Sequence, residues 1–189
     1  MADWRKSVGI GFKAEGEEIF KLFKPGHCQG NLGQSLWLRE VHGHEGGTPP
    51  LVDLEAERVV GTFVRQLVAD GGVTAAHDVS DGGVLVAIVE MALAGNIVSS
   101  VSLNGDDGLA SELFAEDQAC YIVTISGDGH EFIERAGEAG VEAQYMGMTL
   151  AAVDELPDMI IIHGDTSVNI PLATLRAAHE GFFPKLMDG

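Results

Sequence analysis

Leu54, Val60, Phe63, Val64 and Leu67 recur at the three- and four-residue spacing of one helix side, and Asp70-Gly71-Gly72 closes the run. A helix with a single buried stripe is therefore predicted over 53–69. The pattern then changes. Residues 73–79, VTAAHDV, read as a strand whose alternation puts His77 and Val79 on one face and Ala76 and Asp78 on the other. Residues 81–95, DGGVLVAIVEMALAG, read as a helix ended by Gly95-Asn96. Beyond its first turn it is apolar nearly all round, which predicts cover on both sides. Glu90, the lone charge there, either faces solvent or bonds a neighbour.

The same reading gives short strands at 8–12 and 18–23 around a turn at 14–16, and further strands at 98–103, 119–125 and 143–150. Helices are predicted at 109–114, 129–140 and 172–183, and a closing hairpin from 158–164 and 167–172. Residues 24–35 form a glycine- and amide-rich loop. LWLREVHG (36–43) fits strand or helix, and HGHEGGTPP (42–50) breaks the chain. Strands and helices alternate without the regular beat of a doubly wound sheet. The expected class is α+β (mixed α/β): one mostly antiparallel sheet packed with helices, in a single domain over 1–189.

Composition narrows the function classes. Apolar residues make up 46% and charged residues 21% of 189, the balance of a folded globular chain. No apolar run reaches the roughly 18 residues of a membrane span, and the N-terminus carries no secretory pattern. A cytoplasmic protein is expected. The net charge of −18 repels phosphate backbones and anionic lipid, so neither nucleic acid nor membrane is an expected partner. An anionic ligand would have to be held locally, by backbone N–H groups or a bridging cation. Cys28 and Cys120 stand far apart in sequence, which excludes a disulfide scaffold and a cysteine zinc site. Both are expected reduced, with Cys120 as ordinary core.

Candidate chemistry concentrates in HDVSDGG, where His77, Asp78, Ser80, Asp81, Gly82 and Gly83 join a strand to a helix. Ser80 is placed to cap the helix and Asp81 to sit in its first turn. Gly82 and Gly83, poor helix formers, make sense where a ligand or another chain segment approaches the backbone. A bare glycine-bearing helix start binds phosphate, but Asp78 and Asp81 would repel it. Magnesium held by Asp78 and Asp81 resolves that conflict, because a hard cation takes carboxylate and phosphate oxygens together. A nucleotide or phosphate site and a capped, acid-decorated corner fit the residues equally well.

Weaker candidates are GIGFKA (9–14), an accidental match to the dinucleotide fingerprint with no proper strand before it, and His42 and His44 beside Glu45. GDDG (105–108) is a calcium candidate lacking the alternating ligands of an EF-hand loop. His27 beside Cys28 is sequence adjacency only, and neither cysteine has an evident activating neighbour.

AHDVSDGGVLVAIVEMALAG (76–95) resembles the C-terminal lobe of the large, or synthetase, subunit of phosphoribosylformylglycinamidine synthase, the lobe related to aminoimidazole ribonucleotide synthetase. DWRKSVGIGFKAEGEEI (3–19), LGQSLWLRE (32–40), SELFAEDQACYIV (111–123) and AHEGFFPKLM (178–187) resemble other segments of that lobe, in the same order. EIFKLFKPGHCQG departs from the family's more apolar strand and its loop. The resemblance implies an ATP- and magnesium-dependent carbon–nitrogen ligase of purine biosynthesis, in which glutamine-derived ammonia converts formylglycinamide ribonucleotide to the amidine. It implies that the catalytic histidine and most ATP, magnesium and substrate residues lie in upstream domains absent here. The chain is then a fragment, inactive in isolation, whose partners are those domains, a glutaminase subunit and a small accessory subunit. His77 to Gly83 would face the second, auxiliary nucleotide-sized cleft of the tandem, occupied by ATP or ADP if at all. Two alternatives stand beside this. One is a non-catalytic assembly or auxiliary nucleotide-binding module, sticky enough to homodimerise. The other is a lobe of an ATP-using relative such as selenophosphate synthetase or a hydrogenase maturation protein.

Overall fold

The computed structural model describes residues 4–103, 108–151 and 158–187. Its centre is β1 (Glu18–Phe23), in which every residue after Glu18 is buried. A strand covered on both faces buries successive residues, here the apolar Ile19, Phe20, Leu22 and Phe23 together with Lys21. β1 lies between β4 (Tyr121–Ile125) and β5 (Glu142–Leu150), antiparallel to each. Outward on one side comes β2 (Ala75–Asp78). On the other come β3 (Val98–Leu103), β6 (Asp158–His163) and β7 (Thr166–Pro171). The sheet order is β2-β4-β1-β5-β3-β6-β7, and only the β3–β6 pair is parallel. This is the expected mixed α/β class with a mostly antiparallel sheet.

Alternation along the strands divides the core in two. Phe20, Leu22, Val123 and Ile125 point to one face, where α2 (Leu54–Asp70) contributes Val60, Phe63 and Leu67 and α5 (Gly129–Glu138) contributes Phe132 and Ala136. Burying each of the larger side chains is worth roughly 1.5–3 kcal/mol, so the stripe of α2 outweighs the small propensity losses of its valines. Asp53 caps α2 by accepting from the N–H groups of Glu55 and Ala56. On the opposite face Ile19, Ile122, Met146 and Met159 meet α3 (Gly83–Gly95) through Ile88 and Met91, α4 (Leu109–Phe114) through Leu113, and α6 (Leu172–Glu180) through Leu172. The ambiguous 36–43 segment is helical, α1 (Leu36–His42), capped by Ser35, and α7 (Phe182–Met187) follows α6 after a break at Gly181.

Three expectations change. Residues 8–12 are not a strand but a strap laid across the end of α3: Phe12 N–H donates to Met91 O (3.2 Å), and Gly9 O accepts from Ala76 N–H (3.3 Å). The reason is a glycine-on-glycine crossing. A Cβ on Gly11 would lie 2.7 Å from Gly95 N, and one on Gly95 would lie 2.7 Å from Phe12 N. Gly11 therefore serves close packing, whereas a Cβ on Gly9 would meet only Lys13 Nζ at 3.6 Å. Helix α3 is covered less evenly than its composition implies, since Leu85, Val86 and Val89 are only half-buried. The long terminal helix is two helices. Among the described residues no helix is long and apolar enough to cross a membrane.

Candidate functional site at the corner between β2 and α3

After Asp78, Val79 keeps the strand paired by donating its N–H to Cys120 O (2.9 Å). The chain then turns through Gly82 (φ 83°) and Gly83 (φ 78°), both in the left-handed region. Any side chain at Gly83 would also collide with the backbone of Phe114, whose Cα lies 2.7 Å from the ideal Cβ position. What approaches the glycines is thus another chain segment, residues 114–116. The expected cap is corrected accordingly. α3 begins at Gly83, its N-cap is Gly82 without a side-chain bond, and Ser80 and Asp81 precede the helix as exposed residues.

The capping group comes from elsewhere. Glu116 Oε1 accepts from Gly82 N–H (2.9 Å) and from Leu36 N–H (2.8 Å), so one carboxylate oxygen serves the starts of α3 and α1. Unpaired N–H groups and the helix dipole both favour an anion at such positions. Two neighbouring acids act alike: Asp117 Oδ2 accepts from Gly30 N–H (2.9 Å), and Glu57 Oε1 from Ala119 N–H (2.9 Å). Sequence reasoning missed Glu116. The available signal was an acid pair, Glu116-Asp117, wedged between apolar Phe114-Ala115 and Ala119-Cys120.

The remaining corner residues diverge. The His77 side chain is only 12% exposed; its Nε2 lies 3.0 Å from Glu90 Oε2 and its Nδ1 3.3 Å from Asp78 Oδ1. Glu90 is therefore neighbour-bonded. His77 faces a hollow of about 340 Å³ shared with Ile10, Leu93 and His179. Asp78, Ser80 and Asp81 point instead to solvent. Burial pushes the phenol of Tyr121 up, and the charges of Glu57 and of its strand partner Asp78 add to the shift. Among the described residues no group of three or more His, Cys, Asp or Glu side chains is arranged to hold a metal. The His42 ring lies against Trp37 at 5.6 Å, while His44 lines a separate hollow with Arg39 and Glu45. Residues 105–107 of the GDDG candidate lie outside the described residues. His27 pairs with Asp53 (Nε2 to Oδ2, 3.1 Å), whereas Cys28 is half-buried and packs against the core that includes Cys120.

Residues 15–155 match the family model described as AIR synthase related protein, C-terminal domain. The chain belongs to this family. Among curated relatives, phosphoribosylformylglycinamidine synthase subunit PurL of Mesorhizobium japonicum is 43% identical over 194 residues, covering 100% of this chain and 25% of the relative. The Zymomonas mobilis subunit PurL is 42% identical over 190 residues, with 100% and 24% covered. The chain thus spans about a quarter of the length of the curated relatives it matches. The structure of T. maritima PurL complexed with FGAR superposes at a TM-score of 0.75, with 20% identity, over 91% of this chain and 30% of that one. T. maritima PurL complexed with ATP gives 0.68 at 19% identity, over 91% and 27%. The HypE–HypF complex gives 0.54 at 13% identity, over 87% and 55%. At these identities the structural likeness is one of fold. An AIR synthase related C-terminal domain is what the sheet order and both helix layers build here.

Proposed function

We propose that the chain is the C-terminal lobe of a phosphoribosylformylglycinamidine synthase synthetase subunit. As a whole such a subunit is an ATP-dependent carbon–nitrogen ligase, joining glutamine-derived ammonia to formylglycinamide ribonucleotide. The observation that carries this reading is identity of 42–43% to subunit PurL along the entire chain, against 13% to the HypE–HypF complex. Within this reading the lobe by itself is catalytically silent, because it spans only about a quarter of the length of the PurL relatives. Its partners are the other lobes of the subunit, a glutaminase and a small accessory subunit, and its compartment is the cytoplasm.

The corner's part is an auxiliary nucleotide contact. Gly82 N–H is already engaged by Glu116, so a phosphate would not gain that amide. Asp78, Ser80 and Asp81 are exposed at the sheet end, and a magnesium ion arriving with the nucleotide would take one or both carboxylates along with phosphate oxygens. A pair of acids without a third ligand fits a cation shared with a nucleotide better than a resident one.

Docking onto neighbouring lobes is favoured by Leu51, Val52 and Leu54, which are 85%, 65% and 78% exposed in one run. Left uncovered, such a run promotes self-association.

The test is ATP turnover with formylglycinamide ribonucleotide and ammonia, by the 189-residue chain alone and by the full-length subunit. Turnover is expected only from the latter, and robust turnover by the lobe alone overturns the reading. Calorimetry with ADP and magnesium on full-length Asp81→Ala then addresses the corner. Unchanged affinity and stoichiometry would remove Asp81 from the nucleotide contact.

A further inference from the structure

On the sheet face opposite α3, a hollow of about 530 Å³ opens between the start of β1, the middle of β5 and the N-terminal end of α5. Phe20, Ile133 and Tyr145 give it an apolar side, Glu18 and Asp128 an acidic one, and no lysine or arginine lines it. The Tyr145 ring meets Phe20 edge-on (centroids 5.7 Å apart, 72°) and stays 40% exposed, so part of it is open to a ligand. His130, the one basic residue of the lining, is turned to solvent and lies 4.0 Å from Glu134.

Glu18 has no evident structural task here. Its carboxylate sits over Gly129, the first residue of α5, where a Cβ would overlap Oε2. Among the described residues that carboxylate has no hydrogen-bond or ion-pair partner. Nor is it needed as a cap, because Asp128 Oδ1 already accepts from the N–H groups of His130 (2.8 Å) and Glu131 (3.2 Å). Gly129 is buried and does not take a left-handed conformation. What a glycine supplies there is room for the Glu18 carboxylate and the Phe20 ring. A half-buried carboxylate beside aromatic rings has lost part of its hydration. Its charge is felt close by: burial pushes the Tyr145 phenol up, and Glu18 adds to the shift.

We propose that this hollow is a binding site for a guanidinium group, with Glu18 as its ion-pair partner and Tyr145 as its stacking surface. Two properties select guanidinium over ammonium. Its planar fork bonds a carboxylate through two N–H groups at once. The same plane is weakly hydrated and lies well against an aromatic ring. The hollow also has room for an alkyl stem beside Ile133. The group therefore arrives either on a small alkylguanidine or on an arginine side chain of another protein. The excess of 29 acidic over 11 basic residues attracts both.

The chain holds two tyrosines, Tyr121 and Tyr145, so ring NMR signals of tyrosine-labelled protein separate this site from the general acidic surface. The 189-residue chain is titrated at constant ionic strength with ethylguanidinium chloride, ethylammonium chloride and an acetylated, amidated Gly-Arg-Gly peptide. Ethylguanidinium should shift the Tyr145 ring and the Gly129 amide saturably while Tyr121 stays nearly still. Ethylammonium should need about tenfold more for the same shift. Glu18→Gln breaks no bond of the free protein, so it should keep the wild-type circular dichroism yet weaken ethylguanidinium about tenfold. Tyr145→Leu should weaken it several-fold by removing the ring. The peptide assigns the source: tighter binding than ethylguanidinium marks a partner's arginine, weaker binding a small guanidine. Any of four results overturns the proposal: no saturable Tyr145 shift, a Tyr121 response as large, equal affinity for ethylammonium, or unchanged affinity in Glu18→Gln.

Discussion

Removing the Glu116 carboxylate should loosen two helix starts at once. In Glu116→Ala the N–H groups of Gly82 and Leu36 both lose their acceptor, and Gly82 is buried. A hydrogen bond to a charged group contributes about 1.5–3 kcal/mol, so the pair sums to roughly 3–6 kcal/mol. Glu116 and Leu36 are only half-buried, and water can replace part of that loss. The expected destabilisation is about 2–4 kcal/mol. Glu116→Gln keeps an oxygen acceptor and forfeits the charge, including its interaction with the dipole of α3, and should cost about 1–2 kcal/mol. Urea unfolding reads both values. With a slope of roughly 2 kcal/mol per molar, the alanine variant's midpoint should fall by about 1–2 M. Circular dichroism follows the whole fold, while Trp37, stacked on Phe114 at 4.3 Å and 9°, reports on α1 by fluorescence. An alanine variant within about 0.5 kcal/mol of wild type, the range of ordinary surface changes, would refute the anchoring role.

Two further outcomes test other parts of the fold. Gly95→Ala should destabilise by about 1–3 kcal/mol, because its Cβ would press on the Phe12 backbone rather than on a yielding side chain; a melt matching wild type would contradict the strap geometry. The Asp53 carboxyl is held below its ordinary value, first by Ala56 N–H; desolvation opposes this, and Glu55 N–H, Lys24 and His27 add to the lowering. Its folded form therefore binds its proton less readily than the unfolded chain, and its contribution is full above about pH 4 and is lost as pH falls through the depressed value. Asp53→Asn retains a capping oxygen that does not titrate, so Tm against pH should fall less steeply below about pH 4 than in wild type; parallel curves would dismiss the linkage.

Where periodicity had a single cause, it was legible. The stripe of α2 from Val60 to Leu67 answers to one neighbouring layer and its positions follow from the spacing, although Leu54, read into the same stripe, is exposed. GIGF misled because small and apolar residues serve a close crossing as well as a strand, and nothing local distinguishes the two. The crossing partner, Gly95, lies 84 positions beyond Gly11. Ser80 misled for a related reason. A capping residue is a local expectation, whereas the α3 start is set by Gly82 and Gly83 turning against the 114–116 backbone. The acceptor arrives 34 positions later, on Glu116. Alternation put His77 and Asp78 on opposite faces of the strand, but which face meets α3 was not legible, and neither was the bond from His77 to Glu90.

That separation bears on the charge any ligand must bring. Two unit charges at 4 Å repel by about 1 kcal/mol in water and by about 4 kcal/mol at an effective dielectric of 20, typical of protein surfaces. A phosphate approaching Asp78 and Asp81 meets two such charges, and the amide that could offset them is engaged by Glu116. A magnesium ion between them replaces repulsion by attraction at both carboxylates. The proposed contact therefore depends on a divalent cation more steeply than one built on free helix N–H groups would. The chain's net charge of −18 points the same way, since its field opposes an uncompensated anion.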